Sequence, residues 1–225
     1  MLLRESVVDT SRFPSRVQAR LQTVDAWAQS RVDAASQSIG ADLDSLREEF
    51  DAIQASRLPR LKSLKKLRDF ASRWQSYLGP HSACRSGCAH CCHIPVALSS
   101  AEAYLISQET GFALSGFRGR SASHISRTEF LGYEHPCSFL KSDMTCAIYE
   151  SRPLVCRVQL NMDQDSLLCE LVEGQSIPVP YANSTVIQAL YMQMSLDQKF
   201  GDIREYFQRP AQLTPPANPP KRIEV

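Results

Sequence analysis

Four of the chain's eight cysteines fall within one short run, Cys84-Arg85-Ser86-Gly87-Cys88-Ala89-His90-Cys91-Cys92, and no other stretch constrains the fold as strongly. Thiolate sulfur is a soft ligand that selects zinc, copper(I) or iron–sulfur clusters, and this C-x3-C-x2-C-C spacing gathers four such donors from one segment. On a helix, Cys84, Cys88, Cys91 and Cys92 would share one face, yet a straight helix cannot wrap one ion with all four. Either the segment turns around the metal or its sulfurs are completed from elsewhere. The remaining cysteines are Cys137, Cys146, Cys156 and Cys169. The two stretches are therefore expected to meet, and all eight thiols are candidate metal ligands.

Four disulfides would use the same residues, but disulfides persist in oxidising compartments, and neighbouring Cys91 and Cys92 cannot pair with each other without strain. No apolar run approaches the roughly 20 residues of a membrane span. Met1 to Phe13 carries charges where a signal peptide has an apolar core, so the expected location is the cytoplasm. Lys plus Arg number 25 against 24 for Asp plus Glu, which leaves no global field to draw the protein onto nucleic acid or an anionic membrane. The 43% hydrophobic content can bury a core within 225 residues.

Residues 1–78 lack cysteine, contain Gly40 as their one glycine, and read as a helical N-terminal arm. Val17, Leu21, Val24, Ala28, Val32, Ala35 and Ile39 step by three or four, and Leu43, Leu46, Phe50 and Ile53 resume after Gly40. Such a narrow stripe suits a helical hairpin packed on the cysteine domain, or an arm that binds a protein partner. Pro59 opens a further helix with an apolar face (Leu61, Leu64, Leu67, Phe70, Trp74) and a basic one that includes Arg60, Lys65, Arg68 and Arg73. Gly79-Pro80 ends it. Ser99 and Glu102 have capping-box spacing, which predicts a helix from Ser100 to Thr110 stopped by Gly111. A last helix is expected over 183–208, and residues 209–225 read as a proline-rich disordered tail.

The second cysteine stretch begins with two short β-prone runs, Pro136 to Leu140 and Thr145 to Tyr149, separated by Lys141-Ser142-Asp143-Met144, and this reads as a small hairpin. Pro153 then suits the first turn of a helix carrying Cys156. The fold class expected is mainly α: a helical N-terminal arm (1–78), a cysteine-rich metal-binding domain with a small β-hairpin (79–208), and the tail.

Together the two stretches resemble the cysteine-cluster family that carries a zinc- or iron-chelating domain. Its first element, C-x2/3-C-x2-C-C, is matched by Cys84, Cys88, Cys91 and Cys92. Its second, P-C-x-x-L followed by C-x-I-Y-x-x-R-P-x-x-C-R, is matched by Pro136, Cys137, Leu140, Cys146, Ile148, Tyr149, Arg152, Pro153, Cys156 and Arg157, with Cys169 as a further cysteine. One branch of the family resembles flagellin lysine N-methylases. That branch implies a protein lysine N-methylase-like enzyme as an alternative, although no glycine-rich strand-to-helix turn for S-adenosylmethionine stands in the sequence.

From the residues themselves, the crowded Cys91-Cys92 pair favours an iron–sulfur cluster of the 4Fe–4S type over zinc, and redox or cluster-dependent work follows from it. The alternative is a scaffold stapled by structural zinc. His81, His90, His93 and His135 flank the cysteines and read as supporting groups. Arg152 and Arg157 are placed to stabilise thiolate charge beside Cys156. No catalytic residue can be assigned, and spacing alone does not divide the eight thiols among sites.

Overall fold

A computed structural model describes residues 10–126, 129–172 and 176–213. The greater part of the expected proline-rich tail, residues 214–225, lies outside them. The chain runs through α1 (Ser15–Leu21), α2 (Val24–Ile39), α3 (Asp42–Ala55) and α4 (Arg60–Leu78), crosses the first cysteine segment, and enters β1 (Ala97–Ser99) and α5 (Ser100–Thr110). A long irregular stretch carries Cys137 and Cys146 to α6 (Leu154–Val158). The chain closes with α7 (Thr185–Met194), β2 (Phe200–Asp202) and α8 (Ile203–Tyr206).

The protein is mainly α with a small antiparallel sheet, as the sequence predicts, but the sheet lies elsewhere. β1 pairs with β2, Leu98 opposite Gly201. The expected hairpin over 136–149 is a tight loop held by a single bridge between Leu140 and Cys146. Lys141 donates its N–H to Thr145 O (2.9 Å) and Ala147 to Phe139 O (2.8 Å). Met144, in the left-handed region at φ 64°, closes the loop too abruptly for strands to extend.

Local signals fix the helix ends well. Pro59 stands at the start of α4, where its fixed φ suits a helix entrance. Ser99 Oγ accepts the Glu102 N–H (3.2 Å), and Gly111 ends α5 in the left-handed region at φ 76°. Ser99→Ala removes this buried cap and is expected to lower the unfolding free energy by about 1 kcal/mol, read from the urea midpoint. The helix expected over 183–208 stops at Met194, because the chain turns at Ser195 and extends to pair with β1. Asp202 then caps α8 in a capping box with Glu205. At Gly201 a Cβ would stand 2.4 Å from the Phe117 ring, so no larger residue fits without displacing it.

α4 lies at the centre of the main core, where Leu64, Leu67, Phe70 and Ala71 meet α3, α5, α6 and α7. The N-terminal helices also pack on the cysteine-bearing part: Val17 and Val24 with Leu168, and Ala35 with Leu160 and Met162. α1 is additionally tied by Arg20, which grips Asp163 (2.8 Å) and Asp165 (2.9 Å). One residue departs from the basic face read on α4. Arg68 is only 2% exposed, pairs with Glu109 at 3.0 Å and faces Glu102 at 3.9 Å.

Candidate metal centre

The first cysteine segment leaves α4 through Gly79 and makes a short 3-10 turn, His90–His93. The second is brought against it by backbone pairing, with Cys137 donating its N–H to Cys92 O (2.7 Å) and Gly132 to His93 O (2.9 Å). The meeting expected from sequence therefore takes place. All eight cysteines are free thiols; Cys84 and Cys91 are exposed, Cys137 is buried, and the others are half-buried.

Two environments separate them. Cys137, Cys92, Cys146 and Cys156 pack in one apolar cluster with Leu98, Phe139, Ile148 and Phe207. Burial pushes Cys137 up to about 11 and Cys156 well above its usual range. Cys84 and Cys169, from opposite ends of the domain, instead share Asn161. Its backbone N–H points to Cys84 Sγ (3.5 Å) and its side-chain amide to Cys169 Sγ (3.2 Å). N–H donors aimed at sulfur stabilise thiolate charge and help set the properties of a bound metal. The neighbouring Cys92 thiol draws Cys91 down, helped by Arg152, while Cys92 itself is raised well above its usual range.

Arginines surround the thiols, and not only those read from sequence. Arg152 is buried, its guanidinium stacks 3.8 Å over the exposed Tyr149 ring, and its charge favours the thiolates of Cys91, Cys146 and Cys156. Tyr149 thus supports an arginine and does not fill the core. Arg157 has a different task, donating to the carbonyl oxygens of Arg152 (3.0 Å) and Glu150. Arg204 and Arg209 were not singled out in the sequence. Arg204 spans Cys92 O (2.9 Å), His135 O (2.9 Å) and Asp202 (2.9 Å), and Arg209 spans Cys137 O (2.7 Å) and Leu140 O (2.7 Å).

The histidines take supporting places. His90 Nδ1 lies 2.8 Å from the Tyr133 hydroxyl, which also accepts the Leu171 N–H (3.2 Å) and so ties the first segment to the chain just past Cys169. His93 is fully buried beside Tyr133, and burial pushes its pKa down to about 4, so the ring is neutral. His81 lies 2.9 Å from Ser38, and His135 is exposed.

The donor set suits a thiophilic metal: eight reduced sulfurs, N–H donors on two of them, and arginine charge nearby. Among the described residues, no three His, Cys, Asp or Glu side chains stand together as a ready-made shell for one ion. Ligation would draw the thiols inward, as the coupling of metal binding to folding expects.

These features define a metal-chelating cysteine-cluster protein. Residues 83–174 match the CxxCxxCC family model, described as a "putative zinc- or iron-chelating domain". The match leaves α1 to α4 and the segment from α7 onward outside it. Searches of curated proteins and of solved structures find no match to the chain. Among the described residues, no helix is long and apolar enough to cross a membrane.

Proposed function

We propose that this chain is an iron–sulfur protein whose eight cysteines ligate 4Fe–4S chemistry for redox or cluster-dependent work in a reducing, cytoplasmic setting. The observation that carries the reading is Asn161, whose two N–H groups meet the sulfurs of Cys84 and Cys169. Hydrogen bonds to sulfur tune the potential of such a cluster, and a bound cluster supplies one-electron transfer. The chain's own contribution is to hold the thiols apart from water around Cys137 and Cys156, to compensate thiolate charge with Arg152, and to fix both segments through Arg204 and Arg209.

Purification without oxygen tests the reading through iron, acid-labile sulfide and zinc analysis together with the visible spectrum. A brown protein containing iron and sulfide in equal amounts is expected. A colourless protein with stoichiometric zinc would replace the proposal with a structural zinc scaffold. Material free of all three would end both readings.

A further inference from the structure

We infer that the eight thiols divide into two centres of four, an outer one of Cys84, Cys88, Cys91 and Cys169 and an inner one of Cys92, Cys137, Cys146 and Cys156. This rests on the metal-binding reading above and adds the partition that sequence spacing left open. The inner set is defined by packing: these four sulfur-bearing residues, and no other cysteine, belong to the apolar cluster around Phe139 and Phe207. Backbone contacts hold them in register. Cys137 bonds to Cys92 O (2.7 Å), Cys137 O accepts the Leu140 N–H (3.0 Å), and Leu140 bridges Cys146.

The outer set is defined by shared polar partners. Asn161, itself 1% exposed, faces the sulfurs of Cys84 and Cys169 and accepts the Ala83 N–H on its carbonyl (2.7 Å). Tyr133 joins His90, two residues past Cys88, to Leu171, two residues past Cys169. Cys91 lies outside the apolar cluster and is exposed like Cys84, which assigns it to the outer set. Cys91 and Cys92 are neighbours in the chain, so the two centres would meet at that peptide bond.

Four thiolates complete either a tetrahedral zinc site or a cubane cluster, so the partition predicts about two zinc or about eight iron per chain. The test uses the intact, metal-loaded chain: a chelator is titrated in, exposed thiols are alkylated, and the modified cysteines are mapped by peptide mass. Two steps of four are expected, with the set of Cys84, Cys88, Cys91 and Cys169 labelled first because it holds the two exposed cysteines, Cys84 and Cys91. Release of all eight in one step, or a first step that mixes the two sets, would overturn the partition while leaving metal binding intact. A chain without metal would overturn both. Two variants supply an independent arm, scored by native mass spectrometry on folded molecules only. Cys169→Ala and Cys156→Ala are each expected to halve the metal content, and loss of all metal in both would refute two separate centres.

Discussion

Glu102→Ala is expected to lower the unfolding free energy by about 3–5 kcal/mol, the cost of breaking a buried ion pair by removing one partner. Glu102 is 1% exposed, and its carboxylate accepts the Leu154 N–H (2.7 Å) and the Tyr191 hydroxyl (2.8 Å) while facing Arg68. Burial raises its pKa, and Arg68 is the largest of the influences that hold it down. Three arginines, Arg68, Arg152 and Arg157, meet in this interior, and crowding with burial pushes Arg157 down to about 10. Deleting the carboxylate leaves their repulsion unopposed except by Glu109, and orphans the first N–H of α6. A domain is stable by only about 5–15 kcal/mol, so this is a large share. Glu102→Gln keeps an acceptor without the charge and should fall between wild type and the alanine variant. Chemical denaturation reads both. A loss under about 1 kcal/mol for Glu102→Ala would mean that Glu109 alone satisfies Arg68.

The same network explains how α6 presents Cys156. Its first N–H is fixed by Glu102 from α5, and Arg68 from α4 donates to Ser151 O (2.6 Å) and Arg152 O (3.3 Å) just before it. Cysteine placement thus depends on α4, which lies outside the matched segment. Glu102 carried a visible signal, the capping-box spacing with Ser99, but the signal pointed to the wrong partner. The Ser99 N–H goes to the Tyr191 hydroxyl (2.7 Å), and the carboxylate turns inward.

What could be read from sequence was local or compositional. Pro59, Ser99 and Gly111 act on their own turns, so the ends of α4 and α5 were legible. The eight thiols announced a soft-metal site through their chemistry. The rest depends on contacts between distant residues. Ile203 and Phe207 kept helical spacing with α7, yet the chain between them had to extend against β1, a demand invisible to periodicity. Val17 to Ile39 likewise read as one helix, but the chain breaks between α1 and α2, and Arg20 near that break reaches Asp163. Asn161, Tyr133 and Arg204 had no spacing to mark them, because each works through a single long-range partner set. The polar run Asn161 to Asp165, a few residues before Cys169, was the nearest available hint.

Arg204→Met should be the most damaging single change outside the cysteines. The guanidinium is almost fully buried, bonds to three backbone oxygens (Cys92, Ile94 and His135) and pairs with Asp202, whose carboxylate also takes the Val96 N–H (2.7 Å). Its planar fork of five donors fits this fan of acceptors, and a lysine ammonium cannot span it, so Arg204→Lys should fail nearly as badly. Loss of the fork leaves Asp202 buried and unpaired, at about 3–5 kcal/mol. It also removes the bridge from Cys92 O to His135 O that reinforces the direct pairing of the two cysteine segments, so metal content should fall together with the denaturation midpoint. The two effects are separable. In the double variant Arg204→Met with Asp202→Asn, the unpaired charge is gone and stability should recover in part, whereas metal content should stay low because nothing replaces the clamp on the Cys92 carbonyl. Full recovery of metal in the double variant would mean that Arg204 serves only to neutralise Asp202, and that the cysteine segments hold their register without it.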